Sequence, residues 1–484
     1  MTPWTIFWIA LPFLVGFSIY LVPQGDRLLA LGVTLVSALY AASLFGLGAP
    51  IEFHLLDSFG VTLVADPLSA YFVLTNALVT AAVFLYCWNT NKTAFFYIQA
   101  IILHGSINAA FIAADFISLY VALEVIGIAA FLLIAYPRRN PSLWVALRYL
   151  FVSNTAMLFY LVGAVLVYQS QQSFAFTGLG GAPLEAKVLI LGGLLTKGGI
   201  FVSGLWLPLT HAEAESPVSA LLSGVVVKAG AFPIVRLALM VEALDPVVRW
   251  FGVAAALLGV TYALLETDAK RVLACSTLSQ LGWVLAAPTG AGFYALAHGL
   301  VKAALFLTVG NLPSRDLTVL RQYPIYTSLW LPLTLASLSI SGFPGFVGFG
   351  AKMLTLKQAL PWQTIALNVA ATGTAILYAK FIFLPHQRAE KSADGAGIKP
   401  GLGMALTLLI GALLLANGVY LGAYTGPNVL KVLAIIGIGW LLYAWVIRPL
   451  TLRLPRVLEN FDHLIGFMSL VLVMLLGRGW LWLF

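Results

Sequence analysis

Apolar residues follow one another along this chain in runs of about 20, each closed by proline, glycine or a charged residue. Wound into a helix at 1.5 Å per residue, such a run crosses the roughly 30 Å hydrocarbon layer of a bilayer. Six runs fall near residues 3–22, 28–47, 64–87, 94–113, 115–136 and 145–169. Ten more lie near 187–208, 216–240, 246–265, 271–288, 291–311, 327–356, 363–385, 401–424, 427–447 and 463–483. The pattern predicts an all-α, polytopic membrane protein of about 14–16 transmembrane helices. The first run lacks a basic leading segment and a small-residue cleavage site, so it reads as a retained helix.

Composition narrows the class further. Charged residues make up 9% of the 484, against roughly 25% in a soluble domain. With 61% hydrophobic residues and a mean hydropathy of +0.98, a water-soluble fold is excluded and the lipid bilayer is the expected surroundings. The net charge of +8 forms no basic stripe, so nucleic acid is not an expected partner. Cys87 and Cys275 both sit in or beside apolar runs, which argues against a disulfide framework or a thiolate metal site. No Rossmann fingerprint, P-loop or cysteine cluster is present, so neither cofactor nor metal is expected.

The basic excess is a sidedness signal, because basic connections resist translocation. One set of alternate connections holds fifteen of the 26 Lys and Arg, including Arg27, Lys92, Arg138, Arg139, Arg148, Lys270 and Arg271. The other set holds six, so a cell (inner or plasma) membrane location with both termini outward is expected. The stretch 386–400 is the one long polar connection, and Arg478, Trp480 and Trp482 read as an interfacial anchor.

The remaining five basic residues, Lys197, Lys228, Lys302, Lys352 and Lys380, fall inside the runs. Glu124 lies about nine residues into its run, hence about 14 Å deep, at the midplane. Lys197, Lys228 and Lys302 lie within a turn of the centre of theirs. Each charge facing lipid would cost about 2.5–3.5 kcal/mol, so the set must share water or one another. One carboxylate cannot neutralise four ammonium groups, and that imbalance suggests proton exchange along the set. Lys380, near the end of its run, reads as a snorkelling or structural cation. His298 and Lys302 are four residues apart and share a helix face, where a relay is expected. His211, in HAEAESP, reads either as a point of proton access or as a solvated loop histidine, and His104 as a packing histidine.

Two runs are broken by helix-disrupting residues. In LLTKGGIFVSGLWLPLT, Gly198 and Gly199 follow Lys197, and Pro208 closes the run. In SISGFPGFVGFGAK, glycines and Pro344 interrupt the span just before Lys352. Broken spans expose backbone groups that only a wet or protein-lined cavity satisfies. Their occurrence in both halves of a chain is the pattern of inverted-repeat transporters.

Trp206-Leu207-Pro208, His211, SPVSALLSGVVVKAG and Arg236 closely resemble the signature of the antiporter-like membrane subunits shared by Mrp-type cation/proton antiporters and respiratory complex I. DPLSAYF at Asp66, ALEV around Glu124, DAKRVLACSTLSQLGW, ALAHGLVKAALF and SGFPGFVGFGAK match in order and spacing, over roughly residues 60–360. The resemblance implies two inverted five-helix repeats, each with a broken helix. It places them at 94–242 and 243–386, with N-terminal helices at 1–93 and C-terminal helices at 387–484. It also implies a proton pathway through Glu124, Lys197, Lys228, His298, Lys302 and Lys352, without covalent catalysis. Val202, Gly204 and Leu209 stand where the family usually carries Pro, His and Asp, which puts proton access near His211 in doubt.

Lys352, where some members have Glu, favours a D-like subunit of an Mrp antiporter. The expected function is therefore proton translocation in a hetero-oligomeric antiporter, beside other membrane subunits, with Na+ as the monovalent counter-cation that the resemblance implies. The alternative is a pumping subunit of a complex I-type NADH or ferredoxin:quinone oxidoreductase. A scaffold that has lost transport is the third reading, and it rests on the three departures around Trp206.

Overall fold

A computed structural model describes residues 2–46, 49–56, 60–388, 398–450 and 456–481. Helices α1 (Thr2–Leu21), α2 (Asp26–Phe45) and α3 (Pro67–Cys87) open the chain, with a hairpin of β1 (Ile51–Leu56) and β2 (Gly60–Ala65) between the second and third. Helices α4 (Ala94–Ile112), α5 (Phe116–Ala135) and α6 (Asn140–Gln171) lead to a broken pair, α7 (Leu184–Lys197) and α8 (Trp206–Glu213). Next come α9 (Ser216–Leu221), α10 (Val227–Met240), α11 (Asp245–Leu265), α12 (Ala269–Ala286), α13 (Ala291–Val309) and the short α14 (Leu317–Leu320). A second broken pair, α15 (Thr327–Ser341) and α16 (Val347–Gln358), precedes α17 (Pro361–Ile382), α18 (Pro400–Ala416), α19 (Gly426–Leu442) and α20 (Phe461–Leu481).

Every one of the sixteen apolar runs is occupied by a helix or a broken pair. Among the described residues, thirteen helices are long and apolar enough to cross a membrane. The other three runs miss that mark for readable reasons. The run at 271–288 is α12, which carries Lys270, Arg271 and a string of hydroxyl and amide side chains. α15 and α16, at 15 and 12 residues, are each too short alone, and the apolar part of α20 is short. The polytopic all-α class therefore holds, with the β1–β2 hairpin as an addition that the apolar pattern did not announce. Its antiparallel register runs from Ile51 opposite Ala65 to Leu56 opposite Gly60. A two-residue parallel pair, β3 (Ile325–Tyr326) with β4 (His386–Gln387), is the other sheet among the described residues.

Helix starts follow from local chemistry. Asp66, Asp115 and Asp268 each accept a backbone N–H of the first turn, at 2.8, 2.7 and 3.0 Å, and so cap α3, α5 and α12. Burial then ranks the helices. α12 and α13 are buried along their whole length, whereas α1, α18 and α19 show long apolar faces to the surroundings. A helix buried along its length belongs at the centre of a large bundle, so α10, α12 and α13 form the axis, and α10 and α13 carry Lys228 and Lys302.

The basic residues assigned to connections sit differently in part. Arg148 is a buried residue inside α6, and Lys270 and Arg271 open α12. The polar stretch 386–400 is described only at its ends, so most of that connection lies outside the described residues. The same holds for the Trp482 anchor and for the side chains of Arg478 and Trp480.

The second break depends on a close approach. A Cβ at Gly348 would stand 1.8 Å from the Ser339 carbonyl oxygen. Gly348→Ala is thus expected to push α16 off α15 and lower stability by about 1–3 kcal/mol, the usual cost of overpacking. Thermal unfolding of the solubilised protein, with Gly437→Ala in open space as control, checks it.

Candidate functional site

The site is built on the two breaks and on the central helices between them. At the first break, α7 ends at Lys197, and Gly199 takes a left-handed φ of +66° that interrupts the helix before α8. Phe201 adopts φ +58°, an unusual state for a bulky residue and one that marks a strained segment. Trp206 Nε1 donates to the Thr196 carbonyl at 3.1 Å and pins the two halves together. Pro208 does not close the run as the sequence suggested. It sits at the third position of α8, where no intrahelical hydrogen bond is lost.

Lys197 is buried and donates to Ser153 Oγ of α6 at 2.5 Å. Glu124, half-buried on α5, lies within electrostatic reach of Lys197 yet makes no ion pair within 4.0 Å. One turn on, Gly127 leaves the space in which the Lys197 ammonium approaches α5. The carboxylate and the ammonium are therefore neighbours that are not locked together.

Lys228, on α10, is fully buried, and its Nζ donates to the Ser223 carbonyl at 3.1 Å. That carbonyl belongs to a five-residue π-helical turn, Leu222–Val226, which the sequence gave no sign of. Such turns release a backbone carbonyl from its i to i+4 partner, and here a lysine uses it. Ser223 Oγ bonds Thr277 Oγ1 of α12 at 2.6 Å, and Thr277 donates to the Leu273 carbonyl at 2.9 Å. Lys302 Nζ, on α13, donates to the same carbonyl at 2.8 Å and to Tyr378 Oη at 3.0 Å. Lys228 and Lys302 are thus linked through Ser223, whose carbonyl takes the Lys228 ammonium and whose hydroxyl bonds Thr277, and through the Leu273 carbonyl that Thr277 and Lys302 share.

His298 lies one turn from Lys302, buried, with neither ring nitrogen hydrogen-bonded, and within electrostatic reach of both Lys228 and Lys302. It lines a small cavity with Gln280, Tyr294, Ser339 and Lys352. Tyr294 donates to Gln280 Oε1 at 2.6 Å across that cavity. Lys352, at the second break, donates to the Ser341 carbonyl at 3.1 Å and packs 5.3 Å over the Trp283 ring. Gly342, at φ +88°, ends α15 so that its last carbonyl meets this ammonium.

The structure therefore brings Lys228, His298, Lys302 and Lys352 into one polar region and holds Glu124 with Lys197 as a separate pair. No hydrogen bond among the described residues joins Lys197 to Lys228. His211 is not in a loop: it belongs to α8, is fully buried, stacks 4.6 Å from the Phe306 ring and has both nitrogens unpartnered. His104 is satisfied by Ser37 and Asn108 at 2.9 and 3.1 Å. Lys380 caps the end of α11 through the carbonyls of Ala263, Leu264 and Glu266. Ser153, Ser223, Thr277, Gln280 and Tyr378 were missed by counting charges. The one available signal was the hydroxyl-rich string Ser276, Thr277, Ser279, Gln280 inside a span.

Comparison with known proteins is consistent with this geometry. The chain is 29% identical over 425 residues to NAD(P)H-quinone oxidoreductase chain 4 1 of Synechococcus sp. (strain JA-3-3Ab), covering 79% of this chain and 80% of that one. It is 29% identical over 443 residues to NADH-quinone oxidoreductase subunit N of Desulforudis audaxviator (strain MP104C), covering 81% and 88%. Its fold is similar to a chain of the membrane-bound sulfane sulfur reductase, an archaeal respiratory membrane complex. The TM-score is 0.76 at 20% identity, over 90% of this chain and 98% of that one. A chain of the Mrp complex from Dietzia sp. DQ12-45-1b gives a TM-score of 0.78 at 21% identity, over 99% of this chain and 60% of that chain. Residues 113–377, which hold every lysine and histidine of the site, match the NADH:quinone oxidoreductase/Mrp antiporter transmembrane family, and the chain belongs to that family.

Proposed function

We propose that the chain translocates protons as one subunit of a heteromeric, Mrp-type cation/proton antiporter. The observation that carries this reading is the buried row of Lys228, His298, Lys302 and Lys352, set among hydroxyls and a polar cavity, with no carboxylate among the described residues ion-paired to any of them. Four such groups at the centre of a membrane protein have no structural need that a leucine would not meet at lower cost. The proposed pathway is Glu124, Lys197, Lys228, His298, Lys302 and Lys352, with His211 as the point of proton access.

In this mechanism Glu124 and Lys197 act as a switch. With Lys197 held by Ser153, the pair is open. Closing it withdraws the Glu124 charge from the region, and Lys228 then passes a proton toward Lys302. Two inverted repeats, 94–242 and 243–386, are part of the proposal and are supported by one broken helix in each, with a lysine at each break. So are Na+ as the exchanged cation, a D-like position argued from Lys352, and a plasma-membrane orientation with both termini outward.

Glu124→Gln is expected to slow proton uptake into vesicles holding the assembled complex about tenfold, while the subunits still copurify. Full activity in that variant, together with Lys197→Ala, would refute the switch. A second reading, a pumping subunit of a redox-driven complex, is favoured by the quinone oxidoreductase subunits among its relatives. Flavin or iron–sulfur absorbance in the purified native complex would decide for it.

A further inference from the structure

Lys302 has a branch that leaves the row of charged residues. Its ammonium donates to Tyr378 Oη of α17 at 3.0 Å, and that hydroxyl is bonded to Ser276 Oγ of α12 at 2.8 Å. All three side chains are buried. Tyr378 lies one residue beyond the stretch matched to the family and 76 residues from Lys302 along the chain. Its ring also packs against the ammonium, 5.8 Å from centroid to Nζ.

The branch points to one end of the bundle. Ser276 lies five residues after Arg271 on α12, about 8 Å along the helix axis. At that end Arg271 is paired with Glu266 and Glu459, and Arg456 reaches Glu266 from the surface. Cys275, beside Ser276, lies within electrostatic reach of Lys302 on one side and of Arg271, Glu266 and Glu459 on the other. The hydroxyl pair thus stands between the central lysine and a charged, partly exposed surface.

We propose that Tyr378 and Ser276 form a hydroxyl relay that exchanges protons between Lys302 and the charged end of the bundle at Arg271, Glu266 and Glu459. The inference rests on the proton-translocation reading given above. The step balances with water as the proton carrier. A proton delivered to Ser276 Oγ through water from the charged end displaces the serine's own proton to Tyr378 Oη. The tyrosine's proton passes to the neutral Lys302 amine. Each O–H bond that breaks is replaced by one that forms, both hydroxyls end neutral, and Lys302 gains one proton. Tyrosine suits this position because its hydroxyl accepts from an ammonium and donates to a serine in the same geometry.

The test uses the assembled complex in vesicles with a trapped pH-sensitive dye, read in H2O and in D2O. Tyr378→Phe keeps the ring and its contact with the ammonium and removes only the hydroxyl. It is expected to slow proton movement about tenfold and to enlarge the solvent isotope effect, since a slower hop then limits the rate. Ser276→Ala is expected to do the same from the other end, and it carries the test alone if the tyrosine variant fails to copurify with its partners. Wild-type rates and an unchanged isotope effect in these variants, with Lys302→Ala inactive, would overturn the relay and leave the proton-translocation reading standing. Full activity in Lys302→Ala would overturn that reading, and the relay with it.

Discussion

Lys228→Ala is expected to slow proton transport by the assembled complex about 100-fold or more, the lower end of what a positioned acid–base group contributes. The amine is fully buried, bonded to the carbonyl freed by the π-helical turn, and joined through Ser223 and Thr277 to the carbonyl that Lys302 also uses. Removing it takes out the group that stands, in the proposed pathway, between the Glu124–Lys197 pair and the neighbouring His298 and Lys302. Its stem also fills volume against Gly299 of α13, so alanine alone would confound a lost proton site with a void. Lys228→Met separates the two, because it keeps most of that volume without a proton to carry. Both variants should be silent in dye-loaded vesicles while copurifying with their partners. A methionine variant that transports at the wild-type rate would mean that protons do not pass through this position.

Much of this site could be read from depth alone. A charge ten residues into an apolar run has to meet water or a partner, so Lys197, Lys228, Lys302 and Glu124 stood out without any contact being known. The breaks were legible from Gly198, Gly199 and the glycines before Lys352, because those residues free backbone groups that lipid cannot satisfy. Other features depend on tertiary packing and leave no local mark. The π turn at Leu222–Val226 is made of residues that suit an ordinary helix. Tyr378 and Ser276 meet Lys302 only because α12, α13 and α17 converge. His211 seemed to lie in a loop because Glu213, Glu215 and Pro217 follow it, but α8 runs through His211 to Glu213, and Glu215 stands at the start of α9. The β1–β2 hairpin carries Glu52 and His54 among apolar residues between two spans, where a span-length pattern has nothing to report.

Glu459→Ala is expected to lower the stability of the solubilised protein by about 1–3 kcal/mol, the cost of leaving a buried donor without its partner. Glu459 follows the last connection and precedes α20, and it is paired with Arg271, the two side chains being 8% and 6% exposed. Arg148, whose Nε and Nη2 have no hydrogen-bond partner, lies within electrostatic reach of the same carboxylate. Loss of Glu459 leaves Arg271 with Glu266 alone and Arg148 with no neighbouring anion. The consequence reaches the first break through α20. That helix buries Leu464, Met468 and Leu472 at helical spacing, seats Leu472 against Gly192 of α7 and sets the Phe467 ring 6.0 Å from the strained Phe201. Faster hydrogen exchange across 461–477, together with a lower thermal midpoint, is the expected signature. Burial works to raise the Glu266 carboxyl, but the Arg271 hydrogen bond and charge, with the Thr267 and Asp268 amides, outweigh it and hold that group below the usual glutamate range. Its contribution is fully present above the ordinary glutamate value and is lost only as pH falls through the lowered one, so that contribution should not change between about pH 8 and pH 5. A Glu459→Ala protein that melts with the wild type would mean that α20 is held by its apolar stripe alone.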